Sequence, residues 1–200
     1  VRQSRVTYGK VDTKSAAFKK WFGDSKVVDG DGKPLKVYHG TASDITAFDP
    51  EMTKNLPAIF MTSRSKDAAI YATGQSQTGE GANLMPLYVS MQTPYVVESD
   101  DYNRNSWETA YTGTYDGIIV KDSVTGEIAH VVAFEPNQIK SAIGNTGEFS
   151  ATNPDIRRSV RRDEKSVKVV PDDGDVANAM YAEFGDDAYI RFAQLKNGQI

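Results

Sequence analysis

The feature of this sequence that most constrains its fold is a series of short apolar runs bounded by turn-forming residues. Val27-Val28 and residues 35–39 flank the cluster Asp29-Gly30-Asp31-Gly32-Lys33-Pro34, which is typical of a strand reversal. Further strand-like runs span residues 58–62, 84–91, 117–121 and 129–134. We therefore expect a hairpin followed by four more short strands.

Helical signals are fewer and shorter. A short amphipathic helix is predicted over residues 15–22, closed by Gly23, because its apolar residues lie at helical spacing. These residues are Ala17, Phe18, Trp21 and Phe22. Residues 65–73 predict a second helix, and residues 74–83 a mobile loop rich in small polar residues. Residues 100–115 fit either a short helix or an aromatic loop.

Composition excludes several classes of protein. The 200 residues include no cysteine, which excludes disulfides, cysteine-based zinc sites and thiol nucleophiles. The two histidines, His39 and His130, are too few for a multi-histidine centre, so we expect no metal. A net charge of −4 argues weakly against a dedicated nucleic-acid binder. No apolar run reaches the roughly eighteen residues that a membrane span needs.

The chain divides into three parts by composition. Residues 1–14 are expected to be a linker or N-terminal extension, and residues 15–159 a single domain. Residues 160–200 are expected to be a basic linker with a helical or strand extension. The Val1 start suggests a piece of a longer protein. Basic residues crowd the start of this last part and the few positions before it: Arg157, Arg158, Arg161, Arg162, Lys165 and Lys168. Acidic residues are interleaved with them, which favours a solvated linker over a nucleic-acid-binding patch.

The end of one predicted strand carries residues that could bind a ligand. Residues 35–39 lead into Tyr38-His39-Gly40-Thr41, where a strand delivers a histidine and then a glycine. The glycine backbone can approach a ligand without an intervening side chain. Taken alone, a histidine at a strand end is more often an ordinary hydrogen-bonded residue.

Several motifs recur together in one order along residues 15–159. They are Phe18-Lys19-Lys20-Trp21-Phe22-Gly23, Asp31-Gly32-Lys33-Pro34-Leu35, Tyr38-His39-Gly40-Thr41, Tyr115-Asp116-Gly117-Ile118-Ile119, Phe134-Glu135-Pro136-Asn137-Gln138-Ile139-Lys140-Ser141 and Asn153-Pro154-Asp155-Ile156-Arg157. This set resembles the ADP-ribosyltransferases, in the histidine-containing branch of the diphtheria-toxin and poly(ADP-ribose) polymerase type. It is most similar to the ADP-ribosyltransferase domains of phage and mobile-element polyvalent proteins. The resemblance implies an α+β fold, with a split antiparallel β-sheet core and short flanking helices.

The resemblance also implies NAD as a co-substrate and assigns residues to it. His39 would bind a ribose hydroxyl, and the Gly40 backbone would hold the nicotinamide carboxamide. Thr41 supplies a further hydroxyl, or else satisfies its own turn. Phe60 stands at a motif tyrosine, and Tyr71 at the aromatic residue that stacks on nicotinamide.

Two positions depart from the family pattern. Ala68 stands where polymerases have a carboxamide-binding serine, and Ser63 or Ser65 is a candidate replacement. Aligned from Phe134, the position of the catalytic glutamate is occupied by His130. An imidazole accepts a hydrogen bond when neutral but brings no negative charge at pH 7.

Three further residues are therefore candidates for the catalytic position besides His130. They are Glu135, Gln138 and Glu127. A solvated strand-end carboxylate is the plainer interpretation of Glu135, because strand alternation from His130 places it on the opposite face. A turn hydrogen bond is the plainer interpretation of Gln138, and Asp116 is expected to shape a turn.

The function that follows is a mono-ADP-ribosyltransferase of the glycosyltransferase class. It would move ADP-ribose from NAD to a macromolecular acceptor, with a host protein favoured over nucleic acid. We expect a toxin-like module of a phage or mobile-element protein, acting in the bacterial cytoplasm, with delivery from a phage virion as one route. Two alternatives stay open: a catalytically silent NAD-binding or structural module of a virion-associated protein, and an NAD glycohydrolase.

Overall fold

The structure is a computed structural model that describes residues 11–42, 45–49, 58–75, 83–143, 145 and 149–157. Three α-helices are present in this part of the chain: α1 at Ala16–Phe22, α2 at Ser65–Gln75 and α3 at Arg104–Thr112. Single 3₁₀ turns lie at Ser99–Asp101 and Pro136–Gln138. No helix among these residues has the length and apolar character of a membrane span.

Seven strands form one curled, mixed sheet in the order β4-β5-β6-β2-β1-β3-β7. Neighbouring strands are antiparallel except for β4 and β5, which run parallel. The strands are β1 Val37–Thr41, β2 Ile59–Thr62, β3 Asn83–Val89, β4 Tyr95–Glu98, β5 Gly117–Lys121, β6 Ile128–Ala133 and β7 Ile139–Ser141. The predicted α+β class with an ADP-ribosyltransferase-like sheet is confirmed.

The sheet is split between β1 and β2. These strands pair through Tyr38 and Thr62 alone, whereas β1 and β3 pair at five consecutive positions. β2 in turn pairs with β6 along its whole length. Two half-sheets therefore meet at a short contact and diverge beyond it.

Both faces of the sheet are covered, but by different kinds of element. One face buries the largest core, which includes Val37, Met61 and Val131 from the strands. Phe48 and Ile156 pack on it from irregular segments rather than from helices. Side chains alternate along a strand, so the residues directly before and after Val37, Met61 and Val131 face the opposite side of the sheet.

The helices cover that opposite side. α1 packs Phe18, Trp21 and Phe22 against Tyr88 of β3. α3 packs Ala110 over a second cluster that contains Ile118, Val120 and Val132. Val11 also joins the α1 cluster and donates from its N–H to the Ala142 carbonyl at 3.3 Å, so packing begins upstream of residue 15.

Local sequence signals account for the ends of the predicted helices. The Ser15 hydroxyl accepts a hydrogen bond from Phe18 N–H at 3.2 Å, which satisfies a free donor at the start of α1. Gly23 ends that helix at a φ of 54°, a conformation that glycine adopts without a steric penalty. Residues 100–115 contain a helix, because Asn103 accepts from Asn105 N–H at 2.8 Å and so caps α3.

The structure differs from the predicted elements in three places. The first arm of the hairpin is a single bridge between Val28 and Pro34, not a strand. β4 and β7 were not predicted, because four and three residues are too few for a clear alternation. The expectations for residues 1–10, 76–82 and 158–200 lie outside the described residues.

Candidate functional site

We call the part of the helix-covered face between α2 and α3 the α2–α3 cleft. α2 packs on β1, β3 and the adjoining part of β2, while α3 packs on β4 and β5, so β6 and the rest of β2 lie between the two helices as the cleft floor. Phe60 is opposite Val132, and Thr62 is opposite His130, which places these side chains on one face. Phe60 is 44% exposed and His130 is also exposed, so the floor is accessible.

The close approach of α2 to β1 depends on Gly40. A Cβ atom at this position would lie 1.8 Å from the Ala68 carbonyl oxygen and 2.9 Å from the Ala72 nitrogen. Ala68 is only 2% exposed, because its side of the helix faces the strand. Gly40 is therefore required by packing, and Ala68 is not available to a ligand.

His39 lies at the split itself. Its Nδ1 atom is 2.7 Å from the Phe60 carbonyl oxygen, and its ring packs edge-on against Phe48 with centroids 5.0 Å apart. A carbonyl oxygen can only accept, so Nδ1 carries the proton and donates. Burial lowers the pKa of His39 below its ordinary value, against a smaller rise from the Phe60 carbonyl. At neutral pH the imidazole is uncharged, and its Nε2 atom is a hydrogen-bond acceptor.

Aromatic side chains form the walls of the cleft. The Phe60 and Trp107 rings are tilted with centroids 5.1 Å apart, and Tyr102 lies 6.3 Å from Trp107. Burial raises the pKa of Tyr102, a hydrogen bond with Trp107 opposes this, and proximity to Tyr71 reinforces it. Tyr71 on α2 therefore lies near Tyr102 before α3, and its side chain is 68% exposed.

Tyr102 and Trp107 were not among the residues predicted for the site. Their segment was recognised as aromatic, which was the available signal. Sequence alone did not show that α3 crosses the sheet beside Phe60, because this packing depends on the position of β4 at the sheet edge.

Two of the candidate hydroxyl residues, Thr41 and Ser63, lie on or just after the two strands that flank the β1–β2 split. Thr41 ends β1 opposite Asn83 and is half-buried. Ser63 follows β2, where its N–H and hydroxyl both donate to the Ala129 carbonyl, at 3.0 and 3.4 Å. Ser63 is thus tied to the residue that precedes His130.

The candidate catalytic residues are not gathered in one place. His130 lies on β6 opposite Thr62, within the cleft floor. Glu127 is exposed in the turn before β6, beside the Arg64–Asp122 ion pair at 3.0 Å. Glu135 is five residues from His130, which is about 17 Å along an extended chain. A carboxylate at Glu135 is therefore remote from the His130 end of the strand.

Gln138 has all of its amide groups engaged with backbone. Its Oε1 atom accepts from the N–H groups of Phe134 and Glu135 at 3.1 and 2.9 Å. Its Nε2 atom donates to the carbonyls of Ser90 and Asp116 at 3.3 and 2.9 Å. An amide offers two donors and two accepting lone pairs, so this side chain joins three segments of the sheet and retains nothing for a substrate.

The turn role expected of Asp116 is also seen. Its carboxylate accepts from the N–H groups of Gln92 and Thr93, at 2.5 and 3.1 Å. Among the residues that the structure describes, no group of three or more His, Asp or Glu side chains is placed to hold a metal ion.

Comparison with protein families finds one similarity: residues 29–114 match the family described as ADP-ribosyltransferase in polyvalent proteins. The resemblance drawn from the motifs is confirmed over this segment, which includes β1, β2, α2, β3, β4 and α3. The matched segment ends at residue 114, so it does not include His130. Searches of curated proteins and of solved structures found no match.

Proposed function

We propose that this chain is a mono-ADP-ribosyltransferase that binds NAD across the β1–β2 split, between His39 and the α2–α3 cleft, and transfers ADP-ribose to a macromolecular acceptor. The observation that carries the proposal is the His39–Phe60 contact at 2.7 Å. It joins the two half-sheets at the split and leaves a neutral Nε2 acceptor on the His39 ring, which packs against Phe48 on the Val37 side of β1. The family match supports the same class of reaction.

The residues of the split and of the cleft can be assigned to parts of the dinucleotide. We assign His39 Nε2 to a ribose hydroxyl and the Gly40 backbone to the carboxamide. The rings of Phe60 and Tyr71 offer faces for the nicotinamide, since stacking needs no hydroxyl. Thr41 and Ser63 are assigned as the hydroxyl-bearing residues at the two sides of the ring.

Cleavage of the nicotinamide–ribose bond sends the bonding electrons to nicotinamide and leaves oxocarbenium character on the sugar. A nucleophile of the acceptor then bonds to the anomeric carbon and loses a proton. The protein's tasks are to orient the ribose and to favour the developing charge. We assign ribose positioning to His130, whose imidazole can form a hydrogen bond with a ribose hydroxyl.

Two other candidates receive different roles. Gln138 acts by positioning the end of β6, because its amide is fully hydrogen-bonded. Glu135 is kept as a candidate source of negative charge only for an acceptor that reaches the far end of β6. Glu127 is the nearer carboxylate in sequence.

The biological setting is proposed from the family description. We propose that the chain is a toxin-like module of a phage or mobile-element protein and that it acts on a host protein in the bacterial cytoplasm. Nucleic acid is the less favoured class of acceptor, because the chain carries a net charge of −4.

The replacement of the catalytic glutamate by His130 favours a second candidate. A cleft that binds NAD but lacks a nearby anion would be a silent NAD-binding module of a virion-associated protein. An NAD glycohydrolase would use the same cleft with water as the acceptor.

Incubation of the full chain with NAD labelled on the adenylate part, in a bacterial lysate, separates these functions. Release of nicotinamide together with label on macromolecules is expected for the transferase. Nicotinamide release without transferred label would identify a glycohydrolase, and NAD binding without either signal would identify the silent module. The double variant with His39→Ala and Tyr71→Ala should lose all signals, whereas Tyr111→Ala, an exposed aromatic outside the assigned residues, should retain them.

A further inference from the structure

The outer edge of β4 differs from the other edge of the sheet. β4 and β7 are the two edge strands. β7 is covered: Ser141 N–H donates to the Ile156 carbonyl at 2.8 Å, and Val11 approaches the adjacent Ala142. β4 has β5 as its strand neighbour, and no other strand lies beside it in the part of the chain that the structure describes. An uncovered edge presents backbone donors and acceptors to another chain.

A groove runs along this edge. A cavity of about 470 Å³ lies between β4 and the first half of α3. Its lining includes all of Tyr95–Glu98 from the strand and Asn105, Ser106 and Thr109 from the helix. A strand edge beside a helix is the arrangement in which an extended peptide adds to a sheet, with backbone hydrogen bonds on one side and side-chain contacts on the other.

The charge of the groove is one-sided. Glu98 and Asp101 line it, and none of its lining residues is Lys or Arg. Arg104, at the start of α3, pairs with Glu108 at 3.2 Å. Lys121 lies opposite Glu98, but on β5, the inner neighbour of the strand. The end of the groove that Glu98 and Asp101 line therefore complements a basic segment.

The other end of the groove is apolar. Tyr95 packs edge-on against Tyr115 with ring centroids 5.3 Å apart, and Val96 is 49% exposed. A ligand that fits this groove is an extended segment that carries both basic residues, for Glu98 and Asp101, and apolar residues, for Tyr95 and Val96.

We propose that the β4–α3 groove binds an extended, lysine- or arginine-containing segment of a partner protein, which adds to β4 as a further strand. Pairing of two β4 edges from two copies of this chain is the alternative occupant, and the test below distinguishes it. The proposal does not depend on the NAD cleft.

The test uses the full chain and a six-residue probe peptide of sequence Lys-Val-Lys-Thr-Lys-Val, acetylated and amidated. Titration is followed by NMR on the backbone amides, with and without the probe. We expect shifts concentrated on β4 and on the first half of α3. A peptide with alternate backbone amides methylated keeps the charge but not the strand hydrogen bonds, and should bind at least tenfold more weakly. So should the peptide with Glu in place of Lys.

Variants of the protein provide the matched comparison. The double variant Glu98→Lys with Asp101→Lys should weaken binding of the lysine peptide at least tenfold, whereas Glu108→Lys, a similar change on α3 outside the groove lining, should not. Equal binding of the methylated peptide would overturn the proposal, because charge attraction alone would then explain binding. A dimer of the free chain through β4, or hydrogen-exchange protection of β4 amides by the chain's own basic residues 158–168, would also overturn it.

Discussion

At the scale of single residues, Tyr71 is an aromatic side chain that the packing of the fold does not bury. It is a large aromatic side chain, 68% exposed, on the helix that borders the cleft. Its neighbour Ala72 is buried against β1, so Tyr71 lies on the flank of α2 rather than on the packed side. An exposed ring in such a place is consistent with a stacking partner.

We expect Tyr71→Ala to weaken NAD binding while leaving the fold intact. Aromatic stacking on a base is worth about 1–3 kcal/mol, which corresponds to a rise in Kd of about 5- to 150-fold. Tyr71→Phe retains the ring face and should bind nearly as the unaltered chain does. Calorimetric titration with NAD measures both, and an unchanged Kd for Tyr71→Ala would place this side chain outside the binding site.

His130 poses the question of where the negative charge comes from. We expect His130→Ala to lower the rate of nicotinamide release about tenfold with little change in NAD affinity, since the lost contact matters most as charge develops on the ribose. His130→Glu should raise the rate, because it returns an anion to the position that faces the ribose.

Steady-state rates and calorimetric Kd values for both variants provide the measurement. Glu127→Ala and Glu135→Ala are the controls. A fall in rate for either control, with no effect of His130→Ala, would move the catalytic role to that carboxylate. The absence of activity in both the unaltered chain and His130→Glu would favour the silent module.

At the scale of elements, the contact between β1 and α2 sets the shape of the cleft. We expect Gly40→Ala to destabilise the fold by about 1–3 kcal/mol, because the new methyl group meets the backbone oxygen of Ala68, which a rotamer change cannot remove. Gly30→Ala is the matched control, since no atom lies within 4 Å of a Cβ there. Urea unfolding compares the two, and equal stability would show that α2 moves aside without cost.

The Gln138 side chain joins elements in a second way, through its four hydrogen bonds to backbone. We expect Gln138→Leu to lower the free energy of unfolding by about 1–3 kcal/mol, because it leaves peptide groups of β6 and of its neighbours unsatisfied. Thermal unfolding should show a lower Tm, by about 2–4 °C per kcal/mol for a chain of this size. Loss of turnover per folded molecule without a change in Tm would instead give Gln138 a role in the chemistry.

At the scale of the whole molecule, Lys140 ties the last described segment to the sheet. Its side chain is fully buried, and its Nζ donates to the carbonyls of Asn153 and Asp155 at 2.5 and 3.1 Å. Burial lowers the pKa of Lys140 to about 8, although the Asp155 charge acts in the opposite direction. Burial thus disfavours the charged ammonium group, and the two backbone carbonyls that accept its hydrogen bonds offset part of this desolvation.

This shift predicts a pH dependence of stability. Between pH 8 and 10.5 the unfolded chain keeps the Lys140 proton while the folded chain loses it. Because the unfolded state then binds more protons, the free energy of unfolding rises with pH across this window. The rise is at most about 3 kcal/mol, since one pKa unit is worth about 1.36 kcal/mol.

Lys140→Met removes the titrating group and isolates this contribution. The unfolding free energy of the unaltered chain minus that of Lys140→Met should increase from pH 8 to pH 10.5, as measured by urea unfolding at constant ionic strength. A flat difference would show that the Lys140 pKa is the same in the folded and unfolded chains.

The amino-acid sequence by itself determined the parts of this protein that depend on neighbouring residues. Ser15 and Gly23 mark the ends of α1, and the alternation of turn residues and apolar runs locates β1, β2, β3, β5 and β6. The ordered motifs indicated the family, which residues 29–114 match. These signals are local, so each can be interpreted from a short window.

Only the tertiary structure decided how those parts meet. It placed the unpredicted β4 at the sheet edge and so brought α3, with Trp107, beside Phe60. It also directed His39 Nδ1 to the Phe60 carbonyl and engaged every amide group of Gln138. Strand order and side-chain partners depend on contacts between residues distant along the chain, and no local periodicity encodes them, because the same apolar run can pair with several neighbours.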